Sequence, residues 1–286
     1  MNFKSKIFLA PMSGITDLAF RLRCLDYGVG LVTMPMINVN AIARSNKATI
    51  NLLATIPEEK PKAVQLFGTK TDLIKQAAKI AYKKTDCDMI DFNMGCSKHV
   101  ILDQGAGAAL LKRPEKIKEI VEALRSAVDI PISVKIRIGG SDRTINAVKN
   151  ARIIEKAGAD MIIVHGRTVE QGYSGKANWN IIREVKQNVS IPVVGNGDVF
   201  DEDTADRMFK ETKCDYVMVG RRSIGKPYIF EKINYFLDNR GILKKVYDQK
   251  EEFEKYLILA KKYNVRPGKI KQQSIYFKYP DYKVEE

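Results

Sequence analysis

The residues of this chain that can do chemistry recur at one kind of place, just past a short apolar run. Asp91-Phe-Asn-Met-Gly95 delivers an amide, Asn93, and then a thiol, Cys96. Lys135 and Arg137 close the run Pro131–Arg137, and His165 and Arg167 follow Met161-Ile-Ile-Val. Gln65 lies within Lys62–Phe67, while Pro11-Met12-Ser13 follows Lys6–Ala10. Two glycine-bearing ends complete the set, Asn196-Gly197-Asp198 and Gly220-Arg221. Lys135 alternates with Ile and Val, and an unpaired buried ammonium is costly, so it is aimed at an anion or an electron-rich ring. Cys96 has an alternative as a small apolar filler, but its glycine neighbour and polar sequel favour a loop. His165 has an alternative as a satisfied structural group.

Positioning these residues requires eight short strands. The apolar runs predict strands at Lys6–Ala10, Gly30–Met34, Lys62–Phe67, Met89–Asn93, Pro131–Arg137, Asp160–His165, Ile191–Gly195 and Asp215–Gly220. Helical patterns lie between them: Asp17–Tyr27 with Thr16 as cap, a weak one at Val39–Lys47, and Thr71–Lys84 with Thr71 as cap. Glu115–Val128, Ile145–Lys156, Trp179–Asn188 and Glu202–Lys210 follow. Eight such units predict an α/β fold, a closed (β/α)8 TIM barrel, with the site at the carboxyl ends of the strands. A doubly wound sheet would place a GxGxxG turn after its first strand, and none is there. Glycines and Arg221 past the seventh and eighth strands suit a phosphate. Such a site together with inward Lys135 and Gln65 suits flavin mononucleotide (FMN), the lysine facing negative charge on the ring and the amide its edge.

Composition sets the surroundings. Of 286 residues, 48 are Lys or Arg against 34 Asp or Glu, a net charge of +14 that favours a polyanionic partner. Cys24, Cys87, Cys96 and Cys214 include no CxxC pair, so no metal site and no disulfide scaffold are expected. No apolar run approaches the ~18 residues that span a bilayer, and no membrane association is expected. The reading is of a soluble cytoplasmic protein with reduced thiols. Residues 1–235 are expected to form the barrel and 240–286 a short basic helical domain. That second segment carries 12 Lys and Arg against 7 Asp and Glu, with one clear helix at Glu251–Tyr263 broken at Arg266-Pro267-Gly268. Asp281–Glu286 reads as the end of the short tail.

Taken in order, Ala10-Pro-Met-Ser-Gly-Ile-Thr-Asp17, Val64-Gln-Leu-Phe-Gly68, Asp91–Cys96, Val134-Lys-Ile-Arg-Ile-Gly139 and Val164-His-Gly-Arg-Thr168 form a series. Gln171-Gly-Tyr-Ser-Gly175, Gly195-Asn-Gly-Asp198 and Val219-Gly-Arg221 extend it. With these motifs the chain resembles the dihydrouridine synthases from about Ile7 to Phe230, and more weakly through the tail. The resemblance implies an FMN-dependent barrel that reduces uridine in tRNA with NADPH or NADH. It implies that Pro11, Met12, Ser13, Gln65, Lys135 and His165 line the flavin ring. Asn196, Gly197, Asp198, Gly220 and Arg221 would hold its phosphate. Asn93, Arg137 and His165 would hold the uracil, and Cys96 would give a proton to its C5. A thiol of pKa about 8.5 is mostly protonated near neutrality yet yields its proton readily, which suits that role. Ser97 stands where the family usually has proline. A monomer is expected. Two other readings are a barrel reducing a free pyrimidine, which the basic charge disfavours, and a non-catalytic RNA-binding protein, which Cys96, Lys135 and Gln65 disfavour.

Overall fold

In the computed structural model, which describes residues 3–280 and residue 282, the alternation along each strand sends one side chain inward and the next outward. The elements in chain order are β1 (Ile7–Leu9), α1 (Leu18–Asp26), β2 (Val32–Thr33), β3 (Ile37–Asn38), α2 (Val39–Ala43) and α3 (Lys47–Ile50). Next come β4 (Lys62–Phe67), α4 (Thr71–Thr85), β5 (Met89–Met94), α5 (His99–Leu102), α6 (Pro114–Arg125), β6 (Ile132–Arg137) and α7 (Ala147–Lys156). The barrel is completed by β7 (Met161–His165), α8 (Trp179–Asn188), β8 (Val193–Asn196), α9 (Glu202–Thr212), β9 (Tyr216–Val219) and α10 (Ile229–Asn239). Two further helices follow, α11 (Gln249–Lys262) and α12 (Pro267–Tyr276).

All strand pairings are parallel, in the order β1-β9-β8-β7-β6-β5-β4-β2, with β3 added beside β4. The ring closes where Phe8 bridges Leu31. There the Gly30 N–H donates to the Ile7 carbonyl at 2.7 Å and the Leu9 N–H to the Leu31 carbonyl at 2.8 Å. This is the expected TIM barrel followed by C-terminal helices. Its lumen is packed by Phe8, Leu31, Ala63, Met89, Met161, Ile163, Val194 and Met218, and a second, larger core joins the outward strand residues to the helices. The polar inward residues lie beyond the lumen packing, toward the carboxyl ends. Register places Gln65 beside Asp91 and Asp91 beside Ser133. It also places Asn93 beside Lys135, Arg137 beside His165, and His165 beside Asn196.

Several local expectations are corrected. The cap of α1 is Asp17, whose carboxylate accepts from the Phe20 N–H at 3.0 Å. Thr16 is turned away, its hydroxyl bonded to both the N–H and the carbonyl of Met12 at 3.2 Å. Helix α4 begins at Thr71 with Lys70 as an N-cap that makes no side-chain bond. The second strand is ladder-paired only at Val32–Thr33, and the chain returns as β3 after Pro35, which has no N–H to continue a ladder. The helix expected at Val39–Lys47 is two, because Ser45 turns left-handed (φ 54°) and Asn46 recaps the chain. Helix α11 ends at Lys262, before Arg266-Pro267-Gly268 is reached, where Asn264 turns left-handed (φ 53°), and Pro267 instead opens α12 from its first turn, where a missing N–H costs nothing. Helices α5, α10 and α12 were not read from the sequence. The closing segment of the tail, Asp281 and residues 283–286, lies outside the described residues.

Candidate active site

The thiol is placed by a hydrogen-bonded chain that starts deep in the barrel. Asp91 is buried, its carboxylate accepting from the Ser133 hydroxyl and the Gln65 amide, each at 2.6 Å. Burial raises its pKa, and those two bonds oppose the rise. Gln65 in turn accepts from the Asn93 amide at 2.9 Å. The Asn93 oxygen then receives the N–H groups of Gly95 and Cys96, at 3.1 and 2.9 Å. Arg137 clamps the same loop from the other side, its Nε donating to the Gly95 carbonyl at 2.9 Å. Behind the loop Gly107 (φ 59°) comes so close that a Cβ there would stand 2.7 Å from the Cys96 carbonyl. Cys96 emerges partly exposed, whereas Cys24, Cys87 and Cys214 are buried, as their contexts predict. Lys98 and His99, which follow the thiol closely in sequence, are exposed where α5 begins.

Beside this loop a cleft opens over β1, β6, β7, β8 and β9. Pro11, Met12, Lys135, His165, Asn196, Gly197, Asp198, Gly220 and Arg221 all line it. Ser13 is exposed and stands outside the lining, and Gln65, Asn93 and Arg137 belong to the adjoining network. Lys135 reaches the Asn196 oxygen at 3.0 Å, and the Asn196 amide donates to the Met218 carbonyl at 2.9 Å. Asp198, left-handed at φ 59°, pairs with Arg167 at 2.7 Å and accepts the Ala177 N–H at 2.6 Å. Its carboxylate is therefore engaged within the loop, and what the turn offers a ligand is backbone. Gly197 (φ 112°) is required: a Cβ there would come within 2.9 Å of both Ala177 and His165. Gly220 has room for a Cβ, the nearest atom being Ala10 Cβ at 3.6 Å.

Charge in the cleft is one-sided. Burial, with Arg137 beside it, pushes Lys135 down to about 8, while Asp91 and Cys96 pull the other way. Burial also lowers Arg137. His165 is pressed down to about 2 by burial and by Lys135, Arg137, Arg167 and Arg221, so it is a neutral imidazole at physiological pH. An enclosure of this sort with so few carboxylates is built to receive negative charge. Among the described residues no group of three or more His, Cys, Asp and Glu could hold a metal ion. No helix there is long and apolar enough to cross a membrane.

Sequence reasoning assigned no role to Tyr173 and left Arg167 without a partner. Tyr173 is largely exposed on the cleft rim, with the Arg221 guanidinium 4.3 Å and that of Arg137 5.7 Å from its ring centre. Arg167 gathers the loop that carries Tyr173, donating to the Ser174 carbonyl at 3.0 Å and the Gly175 carbonyl at 2.6 Å. The Gln171–Gly175 motif held the signal for this loop, but not which side chain would cross the cleft.

A closed (β/α)8 barrel with a cationic cleft and a buttressed thiol at the carboxyl ends of its strands is the arrangement of an enzyme. The chain matches the dihydrouridine synthase family over residues 8–278 and belongs to it. A probable tRNA-dihydrouridine synthase of Rickettsia conorii is 38% identical over 83% of this chain and 72% of its own length. The tRNA-dihydrouridine synthase B of Shewanella oneidensis is 37% identical over 83% and 73%. Among solved structures, the 6-hydroxypseudooxynicotine amine oxidase of Pseudomonas geniculata shares the fold, with a TM-score of 0.64 at 15% identity over 83% of this chain and 48% of that one. A 2-naphthoyl-CoA reductase does so with a TM-score of 0.63 at 13% identity over 81% and 50%.

Proposed function

We propose that this chain is a tRNA-dihydrouridine synthase that reduces the C5=C6 bond of uridine in tRNA, using FMN and NADPH or NADH. The observation that carries the reading is the pairing of a cationic cleft with Cys96 held at its edge. The residues present fit FMN. Lys135 and neutral His165 face the space for the ring between Met12 and the β7 end. Arg221 and the Cβ-free turn at Gly197 suit the phosphate, with Asn196, Asp198 and Gly220 shaping that turn. Bound FMN would supply the hydride for C6 of the uracil, replenished by the nicotinamide.

The chain's own residues do the rest. Cys96 gives its Sγ proton to C5 and is left as a thiolate, which Lys135 and Arg137 stabilise by charge. Asn93 and Arg137 hold the thiol loop, with Gln65 fixing Asn93, and any remaining donor faces the uracil edge. Lys135, by keeping its charge up to about pH 8, offsets negative charge on the ring. Pro11 and Met12 form one lip of the cleft, and Ser13 sits at its exposed shoulder. Tyr173 offers a ring on the opposite rim. We assign catalysis to residues 1–235 and RNA contact to the basic helices within 240–286, in a cytoplasmic monomer without metal. The base leaves its stack to reach the cleft, at a cost of a few kcal/mol that backbone contacts to the basic rim offset.

The test is the visible spectrum of the purified protein, then NADPH oxidation with unmodified tRNA and analysis of the product. Flavin bands, tRNA-dependent oxidation and dihydrouridine are expected. Flavin bands without any response to tRNA would move the assignment to a small-molecule reductase. No flavin even after adding FMN would overturn it.

A further inference from the structure

We propose that Gln273, supported by Tyr256, is a positioning residue for the FMN cleft, through which the C-terminal helices set the Pro11–Met12 lip; its consequence for FMN rests on the function proposed above. The loop 11–17 has two edges. On the inner edge Met12 is locked to Thr16: the Met12 carbonyl accepts from the N–H groups of Ile15 and Thr16, both at 3.0 Å. The Thr16 hydroxyl bonds the Met12 N–H and carbonyl at 3.2 Å. Thr16 is itself fully buried, so this lock has no freedom of its own.

The outer edge is held by helices that follow the barrel. Gln273 of α12, fully buried, donates from its amide to the Ile15 carbonyl at 2.8 Å, across 258 residues of chain. Tyr256 of α11, also fully buried, donates from its hydroxyl to the Asp17 carboxylate at 3.1 Å. Lys269 of α12 lies so close over Gly14 that a Cβ there would stand 2.9 Å from its Nζ. Residues 14, 15 and 17 thus face the tail, and 16 faces the lip. A carbonyl buried under Gln273 has no water to turn to, so loss of that amide frees the loop rather than exchanging one partner for another. Glu252 supplies a contrast. It ties α11 to α1 through Arg23 at 2.8 Å and Tyr27 at 2.6 Å, at the other end of α1 from the loop.

The experiment compares Gln273→Leu, Tyr256→Phe and Glu252→Gln in the full chain by hydrogen exchange without flavin and by FMN titration followed through flavin fluorescence. Gln273→Leu is expected to speed exchange at the Ile15 and Thr16 amides at least tenfold and to weaken FMN at least tenfold. Tyr256→Phe, which removes one oxygen, is expected to do both about threefold and serves if the leucine variant does not fold. Glu252→Gln is expected to loosen α11 while leaving both lip readouts within twofold. Unchanged lip exchange in a folded Gln273→Leu or Tyr256→Phe protein overturns the linkage, as does an equal effect of Glu252→Gln. Faster exchange with unchanged FMN affinity overturns the positioning role. If the unaltered chain binds no FMN, the cofactor reading fails, and the exchange arm still decides whether the tail holds the loop.

Discussion

Cys96 and His165 show two ways in which one residue's surroundings decide what it can do. The thiol is partly exposed on a loop that other residues fix, so Cys96→Ala removes the proposed proton source and little structure. It is expected to keep the flavin bands and tRNA binding while slowing uridine reduction by about 10²–10⁴-fold, the usual worth of a general acid. Single-turnover oxidation of the reduced enzyme by tRNA measures this, and unchanged turnover would remove Cys96 from the role. His165 is held neutral, with a folded pKa near 2 against an ordinary 6.5. Between those values the unfolded chain binds the extra proton, so stability from this group is full above about pH 6.5 and is lost as pH falls. Going from pH 7 to 5 is expected to cost about 2 kcal/mol through this residue. His165→Asn should flatten that part of the stability–pH curve in urea melts, and an unchanged slope would contradict the burial argument.

At the level of elements, the strand ends work as a connected row. Asn93, next to last in β5, holds two backbone N–H groups of the thiol loop, so Asn93→Ala leaves both donors and the Gln65 oxygen unpaired. A loss of about 1–3 kcal/mol is expected, seen as a thermal midpoint lower by several degrees, together with slower turnover of the bound substrate. Calorimetry with turnover measured at saturating tRNA checks both, and a fall in stability alone would make Asn93 merely structural. The turn after β8 is governed by space. Gly197→Ala brings a Cβ against Ala177 and His165 in a left-handed backbone, and flavin retention should fall by tenfold or more on gel filtration. A variant that stays fully yellow would remove this turn from the proposed phosphate site. These effects follow from register, because Asn93, Lys135, His165 and Asn196 are inward residues of consecutive strands.

For the whole molecule, charge and the tail matter more than any single contact. With a net charge of +14 the protein is expected to bind tRNA through released counterions, so its affinity should drop steeply with salt. If six or more phosphates are neutralised, about a thousandfold is lost between 50 and 200 mM salt. Filter binding across that range measures it, and a flat response would deny the basic surface a part in RNA recognition. What residue order alone determined was the barrel, since eight apolar runs at regular spacing have few other ways to bury themselves. It also determined which residues stand at the strand ends, because a polar side chain ending a buried strand is conspicuous against its neighbours. Tertiary structure decided how those residues are used. Gln65, Asp91 and Ser133 meet only through register, and Arg167 finds Asp198 only when two loops converge. The burial that leaves His165 neutral and brings Lys135 to about 8 likewise exists only in the packed cleft. Nor could local pattern reveal that Gln273 reaches Ile15, since a contact across 258 residues leaves no trace in the periodicity of either segment.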